Sequence, residues 1–200
     1  MEPALHQLLE ELERFGLQND AGIDRASAER PLRMLNITRD TGEFLAVLVR
    51  ATGARAILEI GTSNGYSTLW LADAARALGG KVTTVELLDA KFALAQENFR
   101  RAGLADRIDA LQADAGAVLR DAAEGYYDFI FLDSERSLYL DWWPDIRRVL
   151  RPNGLLVVDN AVSHAEEMAD FVQSVRADGF ACSLVPVGKG EFLATRGGAG

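Results

Sequence analysis

From residue 54 onwards, short apolar runs alternate with amphipathic segments of helical length. The apolar runs predict five β-strands, at residues 56–60, 81–85, 108–112, 128–132 and 155–158. The segments between them predict helices at residues 67–78, 90–102, 115–122 and 138–150. Strands that are apolar on both faces and joined by helices form a parallel sheet covered on both sides. This alternation therefore predicts a doubly wound, Rossmann-like α/β fold.

The two ends of the chain depart from this alternation. Apolar residues at helical spacing from Leu5 predict an amphipathic helix that ends at Gly16, and a second helix is predicted over 41–51. Near the other end, a predicted helix at 166–177 precedes two strand-like runs, 180–186 and 191–195, with a glycine-containing turn between them. We expect this C-terminal antiparallel hairpin to complete a mostly parallel sheet of seven strands.

The expected domain organisation follows from these elements. Residues 1–53 form an N-terminal helical extension packed on the same domain as residues 54–196, which carry the sheet. The glycine-rich tail, 197–200, is expected to be disordered.

The charge balance and the cysteine content limit the expected partners and location. Twenty-one basic residues against thirty acidic ones give a formal net charge of −9, which argues against a nucleic-acid partner. No apolar run approaches the ~20 residues that span a bilayer, so no membrane partner is expected. The single cysteine, Cys182, and a glutamate-rich N-terminus favour a cytoplasmic protein.

Polar residues or glycines directly follow all five parallel strands. In open α/β sheets, ligands bind in the crevice beyond the carboxyl ends of the strands. The candidate site residues are therefore those that follow each strand in turn: the turn Gly61–Gly65, Glu86, Asp114, Asp133, and Asp159 with Asn160.

The turn after the first strand indicates a nucleoside pocket. Gly61, Thr62, Ser63 and Gly65 form a Gly-x-x-x-Gly turn that leaves the backbone accessible to a ligand. Ser63 stands where the dinucleotide fingerprint has its second glycine, so a bound pyrophosphate is disfavoured. Glu86 then accepts hydrogen bonds from the hydroxyls of a ribose. A nucleoside without phosphates fits this pattern best.

Asp114 and Ala115 follow the third strand and have two compatible interpretations. The carboxylate offers an acceptor for an exocyclic amine, and the small alanine leaves room for a planar base. Asp114 is equally suited to cap the helix predicted at 115–122.

Three segments resemble the catechol and caffeoyl-CoA type O-methyltransferases, a class I family that depends on S-adenosylmethionine. They are residues 57–67, 129–133 and 157–160, and the resemblance extends from about Leu35 to Arg196, including the closing segment 187–193. The resemblance implies methyl transfer to a hydroxyl of a small, aromatic acceptor by residues 54–196, and it implies a homodimer. It also implies that S-adenosylmethionine is bound by six residues: Glu59, Gly61, Ser67, Glu86, Ala115 and Asp133.

The same resemblance implies a divalent metal held by Asp133, Asp159 and Asn160. The chemistry of these side chains agrees, because two carboxylates and an amide oxygen are hard ligands suited to Mg²⁺. A hydroxyl beside such a metal loses its proton more readily. The alternative interpretation of Asp159 and Asn160 is a turn after a strand, where both residue types are common.

Arg136 departs from the family pattern. Members of the family usually have a lysine three residues after the first metal-binding aspartate, where it can act as general base. Arginine cannot accept a proton at working pH, although it can clamp a carboxylate or a developing oxyanion. Three alternatives remain for the proton: the metal alone acidifies the hydroxyl, the acceptor is itself acidic, or His164 takes it. His164 has a second interpretation as an N-terminal residue of the helix predicted near Glu166.

Large aromatic residues follow Arg136 on the helix predicted at 138–150. Adjacent tryptophans on a helix point about 100° apart, so one of Trp142 and Trp143 can pack in the core while the other faces a pocket or a partner subunit. Together with Tyr139 they are candidates to wall a flat acceptor or to pack.

Two other functions stay open at this point. One is methylation of hydroxyuridine in transfer RNA, which the acidic composition disfavours. The other is a non-catalytic nucleoside-binding protein, which Arg136 would suit.

Overall fold

The structure is a computed structural model that describes residues 1–24 and 26–197. Seven strands form one sheet in the order β3-β2-β1-β4-β5-β7-β6. β1 to β5 pair in parallel, and β7 runs antiparallel to both β5 and β6. This arrangement confirms the mostly parallel seven-stranded sheet with its C-terminal hairpin. The strands are β1 (Ala56–Ile60), β2 (Lys81–Glu86), β3 (Ile108–Gln112), β4 (Tyr127–Leu132), β5 (Leu150–Val158), β6 (Ala181–Val185) and β7 (Glu191–Thr195).

Helices cover both faces of the sheet. They are α1 (Pro3–Ala21), α2 (Arg39–Thr52), α3 (Tyr66–Arg76), α4 (Asp89–Arg101), α5 (Ala115–Asp121), α6 (Tyr139–Val149) and α7 (Ala169–Ala177). The apolar residues of α1 to α4 pack in one buried cluster with one face of the sheet, and those of α5 to α7 pack in a second cluster with the opposite face. The periodic apolar stripe of each helix explains this layering, because it must be buried against the sheet.

The first helix runs past the predicted end at Gly16 and continues to Ala21. Gly16 is buried, and a Cβ atom there would lie 2.6 Å from Nδ2 of Asn36. The same Nδ2 donates a hydrogen bond to the carbonyl oxygen of Leu12 at 3.1 Å. Gly16 therefore allows the segment before α2 to pack closely on α1, and the prediction that it caps the helix was wrong.

The last helix begins at Ala169 rather than at Glu166, and turns occupy residues 160–168. His164 consequently lies in a turn and not at a helix N-terminus. The predicted disordered tail falls outside the described residues except for Gly197. No helix in the described part of the chain is both long and apolar enough to cross a bilayer.

The carboxyl ends of the central strands lie level with one another. Backbone hydrogen bonds continue the ladder beyond the strands, from Gly61 N to Val85 O at 3.1 Å, from Asp133 N to Ile60 O at 3.0 Å and from Asp159 N to Leu132 O at 3.0 Å. The strand order reverses between β1 and β4, and a crevice opens at such a switch point. The fold thus brings the residues after β1, β2, β4 and β5 to one edge.

Candidate active site

A cavity of about 1090 Å³ lies at this edge of the sheet. Eleven of the candidate residues from the sequence line it: Gly61, Thr62, Ser63, Ser67, Glu86, Asp114, Ala115, Asp133, Arg136, Asn160 and His164. The other three, Glu59, Gly65 and Asp159, lie behind its wall and not on its surface. The strand-end rule therefore located the cavity and part of its lining.

Glu86 is buried at the end of β2, with 9% of its surface exposed. Its Oε2 accepts a hydrogen bond from the backbone N–H of Ser63 at 2.8 Å, and its Oε1 accepts from the N–H groups of Leu87 and Leu88, both at 2.9 Å. Three backbone donors therefore fix the carboxylate before any ligand arrives. Oε1 already accepts two hydrogen bonds, whereas Oε2 keeps a lone pair that can accept a further one.

The glycines of the turn after β1 are required by the backbone conformation and by close packing, rather than by access for a ligand. Gly61 has φ +106°, and a Cβ atom there would lie 2.1 Å from the carbonyl oxygen of Asp133. Gly65 has φ +84°, and a Cβ atom there would meet the Phe99 ring at 2.5 Å. Both positions need a residue without a side chain. Gly65 faces Phe99 and not the cavity, so the structure gives it no direct contact with a ligand.

Glu59 is fully buried on β1 and does not reach the cavity. Its carboxylate accepts hydrogen bonds from the hydroxyls of Ser67 at 2.6 Å and Thr84 at 2.6 Å, and from that of Thr68. Burial raises the pKa of Glu59 to about 7, against the opposing effect of these hydrogen bonds. Among its partners, Ser67 lines the cavity, so Glu59 positions a wall residue rather than touching a ligand.

Asp114, Ala115 and Trp142 form one end of the cavity. Asp114 caps α5, since its Oδ1 accepts a hydrogen bond from the N–H of Ala117 at 2.8 Å. The indole of Trp142 lies beside the backbone of Gly116, where an added Cβ would be 3.0 Å from Nε1. Trp143 is instead buried, and its Nε1 donates to Asp178 at 2.7 Å. The prediction that the two tryptophans divide between core and pocket is confirmed.

Asp133, Asp159 and Asn160 come together at the ends of β4 and β5. The Asn160 amide nitrogen donates to Asp133 Oδ1 at 3.1 Å and to Asp159 Oδ2 at 2.7 Å. The amide thus bridges the two carboxylates, and Asp159 is 2% exposed. No three His, Cys, Asp or Glu side chains in the described part of the chain cluster closely enough to hold a metal by themselves. A metal here would depend on the amide oxygen of Asn160 as the third ligand.

A third carboxylate, Glu191, stands behind Asp159. It is fully buried at the start of β7, and its Oε1 accepts a hydrogen bond from the hydroxyl of Thr41 at 3.2 Å. Burial raises the pKa of Asp133 well above its ordinary range, and so does the neighbouring charge of Asp159. Within the described residues, none of these carboxylates forms an ion pair. The oxygen donors of Asp133, Asp159 and Asn160 fit a hard divalent cation, whose charge would relieve the repulsion between the two carboxylates.

Arg136 forms an ion pair with Glu167. Its Nε donates to Glu167 Oε2 at 2.8 Å, and its side chain is 17% exposed. Next to it, Tyr139 is buried, and its hydroxyl accepts from the N–H of Ser134 at 2.7 Å, which fixes the segment after Asp133. The Arg136–Glu167 pair therefore forms one wall of the cavity.

His164 lines the same cavity and has a defined partner. Its Nδ1 lies 2.8 Å from the hydroxyl oxygen of Ser163, and that hydroxyl donates to the carbonyl oxygen of Asn160 at 3.3 Å. Either atom of the Ser163–His164 contact can be the donor. In the arrangement where the serine hydroxyl donates to Asn160, the imidazole Nδ1–H donates to the serine oxygen, and Nε2 is the nitrogen that can accept a proton.

Several cavity residues were not named individually from the sequence, which predicts only that the segment around Leu32–Thr38 lies over the site. Arg33 and Met34 come from the segment before α2, Lys91 from α4 and Lys189 from the turn between β6 and β7. The carbonyl oxygen of Met34 accepts a 2.7 Å hydrogen bond from the Ser63 hydroxyl. Desolvation lowers the pKa of Lys91, although Glu86 opposes this shift. No sequence motif singles out these residues, because each lies outside the strand ends.

Comparison with known proteins gives consistent matches. The family model described as O-methyltransferase matches residues 6–196. A catechol O-methyltransferase from Niastella koreensis is 31% identical over 169 residues, which cover 78% of this chain and 75% of that protein. A catechol O-methyltransferase from Mycobacterium tuberculosis is 35% identical over 140 residues, which cover 68% of this chain and 62% of that protein.

A solved structure agrees in fold over almost the whole chain. The O-methyltransferase from Bacillus cereus in complex with SAH superposes with a TM-score of 0.77 and 26% identity, covering 95% of this chain and 91% of that one.

Proposed function

The chain belongs to the O-methyltransferase family, and from that membership we propose that it transfers the methyl group of S-adenosylmethionine to a hydroxyl of a small aromatic acceptor. The observation that carries this proposal is that one cavity is lined both by Glu86, whose carboxylate is held by backbone N–H groups, and by Asp133 and Asn160. Asp159 lies behind the cavity wall and is joined to these two through the Asn160 amide.

The methyl donor occupies the end near Glu86. The carboxylate of Glu86 accepts hydrogen bonds from the ribose hydroxyls, and the backbone and side chains of Gly61, Thr62, Ser63 and Ser67 line the methionine portion. Asp114 and Ala115 contact the adenine, and the indole of Trp142 beside them offers a flat apolar face. Support for this donor comes from the relative with bound SAH, the product that S-adenosylmethionine leaves after transfer.

The acceptor occupies the end near Asp133. A divalent cation, Mg²⁺ in our proposal, would be held by Asp133, Asp159 and Asn160, and it would supply Lewis-acid chemistry that makes a nearby hydroxyl easier to deprotonate. Asp133 lines the same cavity as Glu86 and, in this proposal, also contributes to holding the methyl donor. These residues orient the acceptor oxygen towards the methyl group, and orientation alone can supply a large part of the rate.

The proton of the acceptor hydroxyl passes to Nε2 of His164. The hydroxyl oxygen forms a bond to the methyl carbon, the bond from sulfur to that carbon breaks, and its electron pair stays on sulfur. Arg136 cannot take the proton, because guanidinium stays charged and Glu167 holds it. Arg136 therefore acts through its charge, opposite the developing oxyanion.

A methyl-transfer assay tests the proposal. Purified protein is incubated with S-adenosylmethionine carrying a labelled methyl group, Mg²⁺ and a panel of dihydroxylated aromatics. We expect labelled methyl ethers, and we expect Asp133→Ala and Asp159→Asn to lower the rate by at least ~100-fold. Asp106→Ala is the matched control, because its side chain is 71% exposed and pairs only with its neighbour Arg107.

Binding of SAH, measured by calorimetry, and the urea midpoint show whether the variants are folded. Absence of transfer to every hydroxylated acceptor by wild-type protein that binds SAH would contradict the proposal and favour a non-catalytic nucleoside-binding protein. The homodimer and the cytoplasmic location expected from the sequence stay predictions.

A further inference from the structure

A second cavity, of about 670 Å³, adjoins the first. It lies between α1 and the segment that precedes α2. The residues that line both cavities mark where they meet: Arg33, Leu35, Asn36, Ile37 and Lys189. Two of these five are cationic, and they come from different parts of the chain.

Arg33 has a buried donor without a hydrogen-bond partner among the residues that the structure describes. Its Nε is fully buried and has no hydrogen-bond partner, and within the described chain the guanidinium forms no ion pair. Other arginines near the cavities are paired, Arg136 with Glu167 at 2.8 Å and Arg39 with Glu13 at 2.7 Å. A buried donor left unpaired is costly, and such a group is satisfied by an ordered water, an ion or a ligand, or else stores strain.

Lys189 is held in place by its backbone while its charge stays available. Its carbonyl oxygen accepts hydrogen bonds from the N–H groups of Val162 at 3.2 Å and Ser163 at 3.1 Å. Its ammonium group forms no ion pair with any residue that the structure describes. The turn between β6 and β7 is therefore docked against the loop that carries His164, with a free cation at the cavity boundary.

We propose that the acceptor is a hydroxylated aromatic carboxylate whose carboxylate group is bound by Arg33 and Lys189 at the boundary of the two cavities. This inference rests on the proposed function and names the acceptor class for the same site. The planar fork of a guanidinium matches a carboxylate in a bidentate pair, and an ammonium adds a second charge-assisted bond.

The two cations also orient the acceptor. With its carboxylate bound by Arg33 and Lys189 at the boundary, the acceptor extends its hydroxylated ring into the first cavity, which Asp133 and His164 line.

Paired acceptors test this inference. The kcat/KM for methyl transfer is measured with 3,4-dihydroxybenzoate and 3,4-dihydroxycinnamate, and with the methyl ester of each. We expect the wild-type protein to prefer each acid over its ester at least ~10-fold, because a charge-assisted hydrogen bond is worth about one to two decades in affinity. In Arg33→Met and Lys189→Met the acid-to-ester ratio falls about 10- to 100-fold, mainly through KM. The matched control is Arg100→Met, on the outer face of α4 and 63% exposed, which keeps the wild-type ratio.

The other outcomes are decisive as well. Equal transfer to acids and esters, or ratios that do not change in the variants, overturns the inference but leaves the proposed function intact. A loss of SAH affinity in Arg33→Met, measured by calorimetry, would mean that Arg33 binds the carboxylate of the methyl donor, and the inference would be wrong. Absence of transfer to acids and esters alike would instead refute the proposed function.

Discussion

The backbone N–H of Ser63 donates a 2.8 Å hydrogen bond to Oε2 of Glu86, which joins the turn after β1 to the end of β2. With two further N–H donors on Oε1, the carboxylate is fixed in place before a ligand binds. A preorganised acceptor loses little conformational entropy on binding, so its hydrogen bonds contribute fully to affinity.

Glu86→Ala should therefore weaken binding of SAH by about 10- to 100-fold, the range for hydrogen bonds to a charged group. Isothermal calorimetry on the purified variant measures this loss. Glu97→Ala is the control, because Glu97 lies on the exposed face of α4 and pairs with Arg100. Equal affinities of the two variants would show that Glu86 does not bind the ribose.

His164→Ala should change the dependence of the methyl-transfer rate on pH. If Nε2 of His164 takes the proton, the wild-type rate falls as acid protonates the imidazole, and the variant lacks this acidic limb and is slower by about 100-fold. The other histidine, His6, lies on α1 beside Glu10, so His6→Ala serves as the control. An unchanged profile in His164→Ala would remove His164 from the mechanism.

The strand-end residues could be read from the sequence because one geometrical rule governs them. Parallel strands end at a common edge, so acids after different strands must be neighbours once the sheet exists. Glu86, Asp133 and Asn160 follow this rule, and their proximity required no knowledge of the side-chain packing. The hairpin of β6 and β7 was likewise encoded locally, by its turn.

Other features depend on tertiary contacts that no local pattern encodes. Gly16 resembles a helix cap, yet its role is to admit Asn36, 20 residues further along the chain. Glu59 carries the right charge for a ligand contact but points at hydroxyls on α3 and β2. Arg33 and Lys189 meet at the cavity boundary from opposite ends of the chain. An acid inside or at the head of an apolar strand, as Glu59 and Glu191 are, was the available sequence signal of a buried carboxylate.

The buried carboxyl of Glu59 should make the stability of the protein depend on pH. Its pKa is about 7 in the folded chain, mainly because of burial, against 4.5 for an exposed glutamate. Between these two values the folded state binds more protons than the unfolded one, so the free energy of unfolding falls as pH rises, by about 3 kcal/mol in all.

Glu59→Gln cannot ionise, so its unfolding free energy should fall less steeply than that of the wild type between pH 5 and pH 8. Urea denaturation at several pH values, without ligand, measures both curves. Glu97→Gln, on the exposed face of α4, should follow the wild-type curve. Parallel curves for Glu59→Gln and the wild type would mean that Glu59 is already ionised at pH 5.

Gly61→Ala should destabilise the protein strongly, because Gly61 combines a positive φ of +106° with a close backbone approach. The added Cβ would lie 2.1 Å from the carbonyl oxygen of Asp133 and 2.8 Å from its carbonyl carbon. That backbone cannot move aside easily, since Asp133 N donates to Ile60 O at 3.0 Å. We expect a loss of about 3 kcal/mol or more in urea denaturation.

Gly53→Ala separates the two causes of this loss. Gly53 also has a positive φ, +67°, but an added Cβ would meet no atom within 4 Å. Its substitution should cost only the backbone strain, about 1 kcal/mol. If Gly61→Ala lost no more stability than Gly53→Ala, the contact with Asp133 would not constrain this position. A larger loss means that the spacing between β1 and β4 requires a residue without a side chain at position 61. The position of Asp133 in the cavity then depends on Gly61 as well.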